Sequence, residues 1–125
     1  CVVCIFFIVV LSAFILLAGP VAADKKADAV AKLVIEQRKL TSKNTFRVKE
    51  GQVVELRWMT DEDVELHLHG YDVLVKAKPG TPVVMRFKAH ATGRYPVTVH
   101  GFGGKHSHGD GHYEKTMLYL EVYPK

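Results

Sequence analysis

The sequence predicts an all-β protein, a β-sandwich of about seven or eight short strands. Three observations carry that prediction. Apolar and polar residues alternate with period two through most of the chain from Leu33 onward, as they do in strands with one buried and one wet face of an antiparallel sheet. Turn-forming residues interrupt the alternation, as at Lys78-Pro79-Gly80 and in the glycine-rich stretch 101–114. No segment carries a sustained helical period. With 125 residues, 48% of them hydrophobic, the chain fits one domain with a core, which excludes two large domains and intrinsic disorder.

The first element is not part of that sandwich. Residues 1–23 carry no charge, and residues 1–18 are apolar except for Ser12. Gly19-Pro20 ends any helix there, and Val21-Ala22-Ala23 places slim residues where a signal peptidase reads them. A cleaved secretory signal is expected over 1–23, on a chain cut at its start, since a basic leading region and an initiator Met are missing. An uncleaved membrane anchor is the alternative, because about 18–20 apolar residues span a bilayer. Cys1 and Cys4, the two cysteines, precede the apolar stretch rather than follow it, so they do not fit lipid attachment. The mature part is then free of cysteine and works in the periplasm or outside the cell without a disulfide.

Residues 24–32 are polar and Ala-rich at their start and are expected to be a linker or a frayed helical turn, leaving 33–125 as the domain. Leu33 and Ile35 alternate with Val34 and Glu36, and Phe46-Arg47-Val48 leads into a turn at Lys49-Glu50-Gly51-Gln52. Val54, Leu56 and Trp58 alternate with Glu55 and Arg57, with Trp58 expected in the core near a sandwich end. Leu66 and Leu68 alternate with Glu65, His67 and His69, and Tyr71, Val73 and Val75 follow Gly70. Val83, Met85 and Phe87 alternate with Val84, Arg86 and Lys88. Tyr95, Val97 and Val99 alternate with Pro96, Thr98 and His100. After the glycine-rich loop, Leu118, Leu120 and Val122 alternate with Met117, Tyr119 and Glu121, which puts Met117 away from the core face.

The net charge is +4, from 17 Lys and Arg against 13 Asp and Glu, and the two signs are interspersed. That distribution describes a solvated surface and no nucleic-acid patch. The seven histidines are more distinctive, because all fall between His67 and His112. Imidazole is the commonest metal ligand among side chains. His67 and His69 share one strand face, His100 closes a strand, and His106, His108 and His112 lie in the glycine-rich loop. A sandwich brings its end loops together, so the expected partner is a metal ion. Each group also has a plainer reading: a solvent face for His67 and His69, a satisfied strand-end residue for His100, and a weakly binding tract for the loop. His90 stands alone in a turn and reads as surface. Asp110 and Glu114 stand near these histidines as a base or a ligand, or simply as solvated acids.

Four segments resemble cupredoxins. Thr45-Phe46-Arg47-Val48-Lys49-Glu50-Gly51-Gln52-Val53-Val54 looks like their strand–glycine turn–strand opening. Asp63-Val64-Glu65-Leu66-His67-Leu68-His69-Gly70-Tyr71-Asp72-Val73 looks like their first copper-histidine segment. Residues 92–99 look like the strand leading into the copper loop, and residues 118–124 are similar to the closing strand. The resemblance covers about residues 33–125 and implies a Greek-key sandwich, secretion and copper binding, with zinc as the other metal to weigh. It places the first histidine ligand at His69 and the copper cysteine at Val99. The second histidine falls at His112, with His106 and His108 as rivals, and the axial methionine at Met117. His100, next to Val99, points to the opposite side of its strand.

The missing cysteine decides the chemistry. A blue-copper electron-transfer site needs a thiolate beside two imidazoles, and imidazoles alone favour Cu(II) or zinc. The expected function is therefore metal binding or sequestration through His67, His69, His100, His106, His108 and His112, with affinity falling as imidazoles protonate below about pH 6.5. A metal-free structural or interaction sandwich is the second reading. No Ser/His/Asp order, phosphate loop or paired-carboxylate motif is present, so no enzyme is expected. A membrane partner enters only through residues 1–23, if they stay attached.

Overall fold

A computed structural model describes residues 25–102 and 114–125. The expected signal segment lies outside the described residues, and so do His106, His108 and His112. The described chain is all-β, with nine strands: β1 (Ala29–Glu36), β2 (Lys39–Leu40), β3 (Thr45–Lys49), β4 (Val53–Thr60), β5 (Val64–Leu68), β6 (Val73–Ala77), β7 (Val83–Lys88), β8 (Gly93–His100) and β9 (Lys115–Tyr123). They form a four-stranded sheet in the order β2-β1-β4-β7 and a five-stranded sheet in the order β3-β9-β8-β5-β6. The two-residue β2 is the strand that alternation could not show, being too short to alternate.

The inward residues of every longer strand meet between the sheets. Ile35, Val54, Leu56, Trp58 and Met85 from one sheet face Leu66, Leu68, Val97, Val99, Leu118 and Leu120 from the other, and all are essentially inaccessible to solvent. Removal of this apolar surface from water is the main favourable term in the fold. The structure differs from an antiparallel sandwich in two pairs. β1 runs parallel to β4, and β3 runs parallel to β9. Both follow from the chain crossing between sheets, since β3 lies in the five-stranded sheet while its neighbours in sequence, β2 and β4, lie in the other.

β1 starts inside the segment expected to be a linker, so residues 29–32 belong to the sheet. Asp28 secures that start by exchanging two hydrogen bonds with Val53: its amide donates to the Val53 carbonyl and its carboxylate accepts from the Val53 amide, each at 2.8 Å. Alanines bury little side chain, which is why this part of the strand does not read as apolar alternation.

The five-stranded sheet carries His67 and His100 on its outer face. Along β5 the buried residues are Val64, Leu66 and Leu68, so Glu65 and His67 point outward. β8 pairs antiparallel with β5, with Glu65 opposite His100 and His67 opposite Thr98. On the far side of β8, the ladder to β9 contains a bulge. Val97 pairs with Leu118, but Thr98 pairs with Thr116 and Val99 with Lys115, leaving Met117 as the extra residue. Met117 is therefore buried beside Leu118 instead of pointing away from the core, which corrects the strict alternation expected there.

Candidate metal centre

Three strands converge on one patch of this outer face. His67 comes from the middle of β5, His100 from the end of β8, and Glu114 from the residue just before β9. One donor atom from each lies within 4.8 Å of the others. The bulge is what brings the carboxylate there. Without the extra residue in the ladder, Lys115 would continue the register opposite His100; with it, Val99 takes Lys115 and Glu114 falls level with His100. Glu114 Oε1 lies 3.3 Å from His100 Nε2. One irregular position thus exchanges a cation for an anion beside the imidazoles.

His69 stands just beyond β5, where its amide donates to the Pro96 carbonyl at 3.1 Å. Its ring lies 4.1 Å from the His67 ring, centroid to centroid, at an interplanar angle of 46°. His69 Nε2 is 2.6 Å from Glu114 Oε1 and 2.8 Å from Thr98 Oγ1. The Thr98 hydroxyl also donates to Glu114 Oε1. These contacts hold the Glu114 carboxyl below the usual carboxylate range. The Thr98 hydrogen bond contributes most and the His69 hydrogen bond next, against the opposing effect of burial. At neutral pH the patch therefore combines one ionised carboxylate with imidazoles, a donor set that attracts a cation.

Imidazole and carboxylate ligands sit about 2.0–2.2 Å from a first-row metal ion, so two of them stand at most about 4.4 Å apart. His100 Nε2 and Glu114 Oε1, 3.3 Å apart, already meet that limit, and any pair at the 4.8 Å bound of the group would have to close on the ion. Side chains of His100 and Glu114 keep about a third of their surface in solvent, which leaves a path in. The structure thus brings together His67, His69 and His100 from the sequence-predicted set. Val99, at the position of the expected cysteine, is wholly buried on the opposite side of β8. Met117 is in the core as well, so no sulfur donor from it faces the patch. His90 is exposed in its turn, with its ring edge against Tyr71 at 4.9 Å. Thr98 had no signal of its own in the sequence, since an outward threonine in a strand reads as surface.

No protein-family model matches the chain, and no curated protein matches it. Solved structures do. A chain of a heme-copper terminal oxidase dimer is 25% identical, with 80% of this chain and 68% of that one covered and a TM-score of 0.60. A copper binding protein in its apo form is 8% identical over 79% of this chain and 92% of its own, with a TM-score of 0.57. The periplasmic domain of subunit II of cytochrome oxidase from Bradyrhizobium japonicum is 19% identical over 80% and 87%, with a TM-score of 0.55. The fold is cupredoxin-like. This cupredoxin-like domain lacks a cysteine anywhere in residues 24–125, and among the described residues its outer-face patch is built from imidazole, carboxylate and hydroxyl groups.

Proposed function

We propose that this cupredoxin-like domain binds a copper(II) ion on the outer face of its five-stranded sheet, with His67, His100 and Glu114 as ligands. The observation that carries the proposal is the convergence of these three donors from three strands within 4.8 Å. Two imidazoles and a carboxylate without thiolate suit divalent copper and lack the device that tunes a blue-copper centre. The role is therefore holding or sequestering copper, with neither electron transfer nor catalysis. Its setting is outside the cytoplasm, a reading supported by the likeness to a periplasmic domain and by the apolar segment 1–23. His112, His106 and His108 are the sequence candidates for the remaining ligand positions.

The rival reading is a metal-free interaction domain. One observation favours it: Glu114 already has hydrogen-bond partners in Thr98 and His69. Metal analysis and Cu(II) titration of residues 24–125 separate the two. We expect one tightly held Cu(II), a weak ligand-field spectrum and no intense thiolate-to-copper band. Glu114→Gln and His100→Ala should each weaken binding by about 10-fold or more. A protein that purifies without metal and takes up no Cu(II) would overturn the copper-binding reading.

A further inference from the structure

We infer that His69 and Thr98 do not hold the ion but form a latch that positions the carboxylate that does. The inference rests on the copper-binding reading above and adds a division of labour within it. Its basis is a triangle of three polar atoms. Thr98 Oγ1 donates to Glu114 Oε1, His69 Nε2 lies 2.6 Å from the same oxygen, and His69 Nε2 and Thr98 Oγ1 are 2.8 Å apart.

Proton counting fixes the roles. An ionised carboxylate only accepts, and a threonine hydroxyl has a single proton to give. Thr98 gives its proton to Glu114, so the short contact from His69 Nε2 to Glu114 requires the proton on Nε2. This nitrogen is thus engaged by Glu114 and Thr98 rather than free toward an ion. His69, the residue that the cupredoxin resemblance marks as the first ligand, accordingly turns a donor rather than an acceptor toward the patch. It is also absent from the group of three whose donor atoms lie within 4.8 Å of one another.

Thr98 supplies the fixed end of the latch. It is only 5% exposed, on β8, directly opposite His67 and beside the bulge. Its hydroxyl therefore stands on backbone paired on both sides, whereas Glu114 comes from just before β9. A carboxylate has about four lone-pair positions, so accepting from Thr98 and His69 leaves room for a cation. Groups that orient a ligand in this way are commonly worth about 10–100-fold in metal affinity.

Four proteins test this: wild type, Thr98→Val, Thr98→Ser and His69→Ala, each with residues 24–125 and each verified as folded by circular dichroism. Cu(II) affinity is read by competition titration, coordinated nitrogens by electron paramagnetic resonance, and the metal-free His69 tautomer by nitrogen NMR. We expect Thr98→Val to weaken Cu(II) by about 10–100-fold and Thr98→Ser to restore it to within about threefold. His69→Ala should weaken binding similarly while leaving the number of coordinated nitrogens as in wild type. Metal-free wild type should show the proton on Nε2 of His69. Loss of one coordinated nitrogen in His69→Ala makes His69 a ligand and overturns the inference, as does unchanged affinity in Thr98→Val or a proton on Nδ1. Failure of wild type itself to bind Cu(II) is a different result and removes the copper-binding reading together with the latch.

Discussion

The placement of His69 depends on the residue after it. Gly70 has φ +85°, a left-handed conformation that suits glycine, and a Cβ there would come within 2.4 Å of the Tyr95 ring. That ring cannot step aside easily. Its hydroxyl donates toward the carbonyls of Thr92 at 2.8 Å and Ala91 at 3.2 Å, and its ring meets the Tyr71 ring edge-to-face at 4.8 Å. Gly80 offers the control, with φ +73° but open space where a Cβ would stand. Gly80→Ala should lose only the left-handed penalty, about 1–2 kcal/mol. Gly70→Ala should lose that and the clash, about 3 kcal/mol or more in urea unfolding. Equal losses at the two positions would mean that Tyr95 yields and does not constrain this turn. At the same scale, the shared side of His67 and the inward place of Val99 were legible, because period two assigns faces without knowledge of any neighbour. The partnership of His69 with Thr98 and Glu114 was not, because it spans 29 and 45 positions of sequence and depends on which strands lie side by side.

Among the elements, the bulge in β9 governs the site. Reading back from Leu118 and Leu120 by strict alternation makes Met117 and Lys115 outward residues, and that reading assigned Met117 wrongly. Alternation fails there for a physical reason: an extra residue on one strand reverses every assignment beyond it. Two deletions turn this into a test of register. Deleting Met117 removes the extra residue and leaves a regular ladder in which Thr116 and Glu114 still face outward, so Cu(II) affinity should stay within about 10-fold of wild type. Deleting Lys115 shifts Glu114 by one place toward the inward face and should abolish binding, although it removes a residue from the same strand. If both deletions keep the site, or if loss follows removal of Met117 alone with the fold intact, the register that sets Glu114 level with His100 is not what presents the carboxylate. A similar limit applied to β1. Its Ala29 to Lys32 half is too poor in apolar bulk to announce a strand, and only its parallel pairing with β4 reveals it.

For the molecule as a whole, alternation together with the segments resembling cupredoxins was enough to predict the sandwich, since each long strand buries one face. The parallel pairs β1–β4 and β3–β9 were hidden, because a strand's own sequence does not tell the direction of its neighbour. What joins the strands across the outer faces is a set of carboxylates. Glu55 on β4 accepts from Arg57 at 2.8 Å and pairs with Arg86 on β7. Glu121 on β9 meets Arg47 on β3 at 3.0 Å and the Tyr123 hydroxyl at 2.9 Å, and Glu114 ties the start of β9 to β5 and β8. All three carboxyls are held below their ordinary value of 4.5: Glu55 chiefly by the Arg57 hydrogen bond, Glu121 by Tyr123 and then Arg47, Glu114 by Thr98 and then His69. A carboxyl lowered on folding binds protons more readily in the unfolded chain. Its stabilising contribution is complete above about pH 4.5 and disappears as pH falls through the lower folded values. Thermal unfolding in a chelator should therefore show a melting temperature that drops steeply below about pH 4.5. Glu55→Gln and Glu121→Gln should each lower it at pH 6 and reduce the further drop between pH 5.5 and 3.5. An acid limb as steep in both variants as in wild type would assign the loss to other groups and leave these cross-strand carboxylates without a part in it.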